Sequence, residues 1–247
     1  MNLDYNKPTV IHIITRLIHG GADENTKISC VGLANRGWNI ILVVGREYSF
    51  SNLEYLKRQG IEIIVLQDLV REVSPLHDLK AMLAFRQICR QYRPAIVHTH
   101  TAKAGIVGRL GAKLANVPYV VNSVHGSPVD SINQPFIKKI LVAIEKITSR
   151  CNDYYISVGK EIFDKYCEQI KITPQRYQIV RSAFNTTKFA NASHFRSKVR
   201  KELGLTDQDI AIGMIARVAK QKGYEYFVEA CHNLVDSPYN FKFFFLW

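Results

Sequence analysis

Polar residues and glycines stand where predicted strands of the first domain end. Gly20 and Gly21 follow the first strand, His100 closes the fourth, and His125 follows the fifth. In open α/β sheets, ligands bind outside the carboxyl ends of the strands, where helix N-termini offer free N–H groups and a dipole that favours anions. A glycine pair in such a turn lets the backbone approach a phosphate without interference from a Cβ atom. These residue types predict an anion site at this edge of the sheet.

Two basic residues, Arg217 and Lys222, follow a later predicted strand. Such side chains can neutralise the charge that develops on a diphosphate leaving group. With the glycine pair they predict a nucleotide-diphosphate site shared by two domains, and the alternative is that they are ordinary solvated charges. The chain has no G-x-G-x-x-G after its first strand and no G-x-x-x-x-G-K-[ST], which excludes a dinucleotide fingerprint and a P-loop.

Histidines allow two further interpretations. His98 and His100 alternate on one face of a strand and could form a pair of metal ligands, but the sequence shows no third ligand with suitable spacing, so we expect no bound metal. His125 could hydrogen-bond a turn. Its position beside a glycine at a strand's carboxyl end favours a place in a cleft instead.

Apolar runs alternate with amphipathic stretches of helical length, which predicts an α/β fold with a doubly wound parallel sheet. The predicted strands are 10–15, 39–45, 61–67, 95–100, 119–124, 153–158 and 177–180. The predicted helices are 22–36, 51–59, 77–92, 101–116, 134–150 and 160–170. The pattern restarts after residue 186 with a predicted helix over 193–205, so we expect a Rossmann-like domain over 1–186 and the truncated start of a second one over 187–247.

Each of two predicted helices allows two interpretations of its role. Gly105, Gly108 and Gly111 recur at every third position of one helix, either for tight packing on the sheet or for close approach of a ligand. The helix 134–150 has an apolar face and paired lysines. It could touch an anionic membrane, but we favour a helix that faces the core.

Composition narrows the class of protein. The 247 residues carry a formal net charge of +12, which indicates an anionic partner. The basic residues are spread along the chain and no nucleic-acid-binding motif is present, so we expect no nucleic-acid partner. No export signal or membrane span is visible, and five cysteines lack C-x-x-C spacing, which is typical of reduced thiols in a cytoplasmic protein.

Four segments together resemble the retaining family-4 glycosyltransferases of GT-B fold, in which two Rossmann-like domains face each other across a cleft. They are HGGADENT at 19–26, HTHTAKAGIVGRLGAKLANVPYVVNSVHG at 98–126, ISVGKEI at 156–162, and IARVAKQKGYEYFVEA at 215–230. The resemblance spans nearly the whole chain. The long central segment with its distal partner is the specific part.

The resemblance implies a role for each candidate residue. It places Gly20 and Gly21 beside the donor phosphates, and Arg217 and Lys222 on the donor diphosphate. It places the catalytic candidate His125 near the transferred sugar. The acceptor-side candidates are His100, Lys103 and Arg109. Family members use a nucleotide-diphosphate sugar as co-substrate and require no bound metal or other cofactor.

The resemblance also implies the reaction and its setting. We expect transfer of a sugar, with retention, to a cell-surface glycan or lipid-linked acceptor in polysaccharide or lipopolysaccharide assembly. Peripheral contact with the inner face of the cell membrane remains open. The segment 182–185 departs from the family's hinge, and the family's two-glutamate motif is not in these 247 residues. We therefore expect a truncated copy that is inactive alone. The alternatives are a non-catalytic binding module or one chain of a split two-chain enzyme.

Overall fold

The chain divides into two compact units. A computed structural model describes residues 7–127, 129–130, 132–184 and 186–246. The first unit covers residues 1–184 and the second covers 185–247. Asn185, the last residue of the stretch that departs from the family hinge, lies outside the described residues.

The first unit alternates strands with helices. Its strands are β1 (Thr9–Leu17), β2 (Asn39–Tyr48), β3 (Glu62–Leu66), β4 (Ile96–His100), β5 (Tyr119–Val124), β6 (Tyr154–Ser157) and β7 (Tyr177–Ile179). Its helices are α1 (Gly21–Ala34), α2 (Phe50–Arg58), α3 (Pro75–Tyr92), α4 (Ala102–Leu114), α5 (Pro135–Thr148) and α6 (Lys160–Ile170). Among the described residues, no helix is both long enough and apolar enough to cross a membrane.

All the strands of the first unit form one parallel sheet in the order β3-β2-β1-β4-β5-β6-β7. The chain winds outward from β1 in one direction and then returns past it in the other, which is the doubly wound arrangement. The predicted α/β fold class is confirmed, and each predicted strand and helix of this unit lies within a few residues of the observed one.

The sheet carries an apolar core on each face, because successive strand residues point to opposite sides. One core joins β1 to α3 and α4, and the other joins β1 to α1 and α2. The first core contains Ile11, Ile13, Phe85 and Val107, and the second contains Val10, Ile14, Cys30 and Leu53. His12 is two residues from Val10 and two from Ile14 along β1, so its side chain lies on the same face of the sheet as theirs.

Two of the three glycines of α4 are required for packing. A Cβ atom at Gly108 would lie 2.7 Å from Thr99 Cγ2 and 2.8 Å from Ile13 Cγ2. A Cβ atom at Gly111 would lie 2.9 Å from the ring of Phe85. Because real Cβ atoms do not approach this closely, the glycines let α4 lie against the centre of the sheet and against α3. The structure thus favours the packing interpretation of the glycine row.

The second unit contains one strand pair and three helices within its described residues. Strands β8 (Ile210–Ile215) and β9 (Phe241–Leu246) pair in parallel. The helices are α7 (Thr187–Ala190), α8 (Arg196–Glu202) and α9 (Tyr224–Asn233). The predicted helix over 193–205 is shorter than expected, since a 3₁₀ turn occupies Ala192–Phe195 before α8 begins.

Substituting Gly108→Ala should destabilise the first unit by about 1–3 kcal/mol, because the added methyl group overpacks the α4–sheet contact. Gly32→Ala on α1 is the matched control, since its Cβ would meet only the end of the Arg36 side chain at 3.4 Å. Replacing that helical glycine should stabilise the chain by a few tenths to about 1 kcal/mol. Urea unfolding measures both changes. Equal effects of the two variants would contradict the packing role of Gly108.

Candidate functional site

Three adjacent strands bring histidines together. β1 lies beside β4 with His12 opposite His98, and β4 ends at His100. β4 lies beside β5, and His125 directly follows the end of β5. The sequence analysis identified three of these histidines. It missed His12, because only the strand register brings residue 12 beside residue 98.

The histidines are linked by short contacts between ring nitrogens. His12 Nδ1 lies 3.0 Å from His100 Nε2, and His100 Nδ1 lies 3.3 Å from His125 Nε2. His98 packs against His100 with ring centroids 4.2 Å apart, but its Nε2 is hydrogen-bonded to Ser123 Oγ at 2.8 Å. His12, His98 and His100 are buried.

Burial keeps these imidazoles neutral. It lowers the pKa of His12 and of His125 to about 4. It also lowers the pKa of His98 and of His100 well below the ordinary value, and repulsion from neighbouring histidines adds to the effect. A protonated ring would lose its water shell here without gaining an anionic partner. At neutral pH each ring therefore carries one N–H donor and one acceptor nitrogen.

The histidine group also supplies the third metal ligand that the sequence did not show. Ligand atoms of His12, His98 and His100 lie within 4.8 Å of one another. Neutral imidazole is the form that binds zinc and similar ions. However, His12 and His100 are already hydrogen-bonded to each other, and His98 is bonded to Ser123. The expectation of no bound metal stays a prediction.

The turn between β4 and α4 is held by threonines. Thr101 has φ of 67°, a left-handed conformation that is rare for a branched residue. Its Oγ1 lies 2.8 Å from Thr15 Oγ1, and the Ala104 N–H donates to that same Thr15 oxygen at 3.1 Å. Thr15 therefore caps the first turn of α4 from β1, while Thr101 occupies the N-cap position without a side-chain bond to that turn.

An open cavity of about 240 Å³ lies beside His125. Its lining is rich in hydrogen-bonding groups and includes Asn122, Ser127, Glu145 and Tyr166. The cavity lies at the carboxyl ends of the strands, where α/β folds bind ligands. A larger depression, of about 1340 Å³, lies at the opposite edge of the sheet, where β1 and β4 begin. We place the candidate site at the smaller cavity, because it lies at the carboxyl ends of the strands and His125 lines it.

Arg109 faces the interior. Its Nη2 donates to Glu145 Oε1 at 2.7 Å and its Nε donates to the Gly105 carbonyl at 2.8 Å. Tyr166 also donates to Glu145 Oε1, at 2.6 Å. The Arg109 side chain is 0% exposed and that of Glu145 is 4% exposed. Arg109, which the resemblance placed on the acceptor side, has no exposed atom with which to contact an acceptor and instead ties α4 to α5.

The other acceptor-side candidates are also engaged. His100 is buried and contacts His125. Lys103 donates to both carboxylate oxygens of Asp78, at 2.5 and 2.7 Å, and its side chain is 14% exposed. Lys103 is therefore already paired with Asp78 of α3 when no ligand is bound.

The glycine pair lies at the N-terminus of α1. Gly20 has an extended backbone, and a Cβ atom there would approach nothing more closely than Asp23 Oδ2, at 3.4 Å. A Cβ atom at Gly21 would meet nothing within 4 Å. Unlike Gly108, neither position needs glycine for packing, which leaves room for a ligand to approach the backbone.

Arg217 and Lys222 lie in the second unit, between the end of β8 and the start of α9. Both residues are exposed. Gly223 follows with φ of 70°, a left-handed conformation that suits glycine, and α9 begins immediately after it. The two basic side chains thus extend from a strand-to-helix turn of the kind that binds anions.

Arg109→Met should destabilise the chain by about 3–5 kcal/mol, because it leaves the Glu145 charge buried without its partner. The double variant Arg109→Met with Glu145→Gln should recover most of that loss, since no unpaired charge remains. Chemical denaturation of the three proteins measures the difference. A double variant as unstable as the single one would contradict the pairing.

Curated relatives match most of this chain but are longer. A galactosyltransferase of Escherichia coli that uses UDP-Gal and α-D-GlcNAc-diphosphoundecaprenol is 28% identical over 178 residues, or 72% of this chain and 46% of the relative. The capsular polysaccharide biosynthesis glycosyltransferase CapM of Staphylococcus aureus is 24% identical over 193 residues, or 76% of this chain and 50% of the relative. The chain spans about half the length of these relatives.

Solved structures share the fold. A glycosyltransferase from Rickettsia africae superimposes with a TM-score of 0.72 at 20% identity, covering 98% of this chain and 60% of its own. A UDP-glucose complex of Anabaena HepE superimposes with a TM-score of 0.74 at 15% identity, covering 96% of this chain and 60% of its own. At these identities the likeness establishes the fold alone.

Family membership follows from a match that covers more than half of the chain. The model of the family described as glycosyl transferase 4-like matches residues 11–158. That region contains the strand ends, the histidine group and the glycine pair described above. The chain therefore belongs to the glycosyl transferase 4-like family.

Proposed function

We propose that the chain transfers a sugar, with retention at the anomeric carbon, from a nucleotide-diphosphate sugar to a cell-surface glycan or lipid-linked acceptor. The observation that carries the proposal is His125, a neutral imidazole at the carboxyl end of β5 that lines the smaller cavity. The E. coli relative, which by name uses a UDP-sugar and a diphosphoundecaprenol acceptor, supports the substrate classes.

Gly20 and Gly21 of the first unit would offer backbone N–H groups to donor phosphates. Arg217 and Lys222 of the second unit would, taken by themselves, offer cations to a diphosphate. Free N–H groups at the start of α1 suit phosphate oxygens, and the open space around both glycines permits close approach. Arg217 and Lys222 would stabilise the charge of the departing diphosphate, which is the task a divalent metal performs in other enzymes. We therefore propose that the transfer requires no metal.

The acceptor would enter the cavity beside His125. Asn122, Ser127 and Tyr166 offer hydrogen-bonding groups there, as sugar hydroxyls require. Glu145 Oε2 is buried and has no hydrogen-bond partner among the described residues, so it has an unused acceptor next to the cavity. Lys103 remains the proposed cation on the acceptor side, in a pair with Asp78.

His125→Ala should lower the rate of sugar transfer by about 100-fold, as the loss of one oriented hydrogen-bonding group at the reacting centre does. The assay offers nucleotide sugars, UDP-galactose among them, and diphosphoundecaprenol-linked GlcNAc, with product detected by mass spectrometry. His232→Ala, which removes an exposed histidine of α9, is the control and should leave the rate unchanged.

Two further measurements in the same assay test the other parts of the proposal. EDTA should not change the rate, and NMR of the product should show a retained anomeric configuration.

The outcomes of this assay separate the candidate functions. Turnover by the 247-residue chain that is lost in His125→Ala supports the proposal, and it would contradict the expectation that these residues are inactive alone. Binding of acceptor without turnover would favour a non-catalytic binding module. Turnover only after a second polypeptide is added would favour one chain of a split enzyme. Turnover that His125→Ala leaves intact would contradict the role of His125.

We also propose that the chain acts in the cytoplasm at the inner face of the cell membrane, held there by α5. The expectation that this helix turns its apolar face to the core is wrong. Phe136 and Ile140 are 74% and 43% exposed, and Ile144 and Ile147 lie on the same stripe at 36% and 60%. The buried side of the helix instead carries Glu145.

Charge around this stripe fits an anionic surface. Lys139 and Lys146 lie on α5 beside the apolar stripe, and both are exposed. The whole chain carries a net charge of +12. An apolar stripe flanked by lysines is the pattern of a helix that lies in the interface of an anionic membrane. This arrangement would bring the acceptor cavity near a lipid-linked substrate.

Ile140→Glu should weaken binding to vesicles of phosphatidylglycerol by about tenfold, because it removes one buried apolar side chain from the interface. Tyr55→Glu is the matched control, since Tyr55 is 48% exposed but lies on α2, which packs on the other face of the sheet. Flotation with vesicles measures the bound fraction. Equal loss in the two variants would mean that α5 does not make the contact.

A further inference from the structure

A series of hydrogen-bonding contacts runs from the buried part of the sheet to His125. His12 Nδ1 meets His100 Nε2 at 3.0 Å, and His100 Nδ1 meets His125 Nε2 at 3.3 Å. His100 therefore uses both of its ring nitrogens within the series. The remaining nitrogen of His12, Nε2, is buried and has no partner in the described part of the chain.

The protons of this series are coupled. A neutral imidazole has one N–H and one lone pair, so His100 must donate at one end and accept at the other. Only two arrangements satisfy both contacts. Either all three rings carry the proton on Nδ1, or all three carry it on Nε2. The state of His125 is thereby tied to that of His12, with which it makes no direct contact in the series.

We propose that His12 and His100 are positioning residues that hold the His125 ring in one orientation and one tautomer. The anchored nitrogen is Nε2, and Nδ1 remains available to a ligand in the cavity. This inference rests on the proposed function, in which His125 acts on the transferred sugar. A ring with a fixed tautomer presents a defined donor or acceptor to that sugar, whereas a ring free to flip presents the right one only part of the time.

His98 is part of the cluster but not of the series. Its ring packs 4.2 Å from that of His100, yet its Nε2 bonds to Ser123 instead of to another histidine. Its removal would disturb packing in the same place and on the same strand without breaking either contact of the series. His98 is therefore a matched control for His100.

The first test is the tautomer of each ring in the unaltered chain. Nitrogen-15 NMR of histidine-labelled protein at neutral pH distinguishes an Nδ1 proton from an Nε2 proton. We expect His12, His100 and His125 to share the same tautomer, and we expect excess Zn²⁺ to leave their signals unchanged. A mixed set of tautomers would overturn the inference. So would Zn²⁺ binding by His12 and His100, since their nitrogens would then serve as metal ligands.

The second test compares two substitutions. His100→Phe should release His125, whose nitrogen signals should move toward the average of two exchanging tautomers. His98→Phe should leave His125 in its single tautomer. In the transfer assay, His100→Phe should lower kcat by about 10- to 100-fold, the usual cost of losing a group that orients a functional histidine. The reverse ranking of the variants, or an unchanged His125 signal in His100→Phe, would overturn the inference.

The two proposals fail separately. The NMR result does not depend on turnover, so a chain that transfers no sugar can still show the shared tautomer, and only the proposed function would then be lost. A chain that transfers sugar with a mixed set of tautomers would retain the function and lose the positioning role. If His100→Phe does not fold, His12→Phe breaks the series at its buried end, and the measurement on the unaltered chain remains decisive.

Discussion

The close approach of α4 to the centre of the sheet is the constraint on which the site depends. Gly108 permits close contact of α4 with Ile13 of β1 and Thr99 of β4. The turn before this helix, at Thr101, is held to β1 by Thr15. The same packing holds β1, which carries His12, and β4, which ends at His100. Close packing at a glycine of α4 thus supports the strands that carry the histidines.

Four glycines of this chain form two pairs that the sequence alone does not separate. A Cβ atom at Gly108 or Gly111 would collide with neighbouring side chains, whereas a Cβ atom at Gly21 or Gly126 would meet nothing within 4 Å. The first pair serves the fold. The second pair follows strands of the sheet, and the open space there leaves the backbone accessible.

Local patterns were enough to predict the sheet, its helices and the strand ends that carry the candidate site, because alternating apolar runs report burial directly. They were not enough for features set by distant contacts. His12 joins the histidine group through strand register across 88 positions. The sequence does not show that Arg109 is buried, because its partner Glu145 lies on a different helix, α5. Glu145 lies on the inward side of α5, and the apolar stripe of this helix faces outward. An amphipathic helix usually has the opposite orientation.

The outward-facing stripe of α5 has a consequence for the protein in solution. Molecules carrying both an apolar stripe and a net charge of +12 are kept apart mainly by mutual repulsion. Dissolved salt shortens the reach of that repulsion to about 8–10 Å at physiological strength, while the attraction between apolar patches persists. We therefore expect the colloidal stability of the purified chain to be greatest in dilute buffer and its self-association to grow with ionic strength.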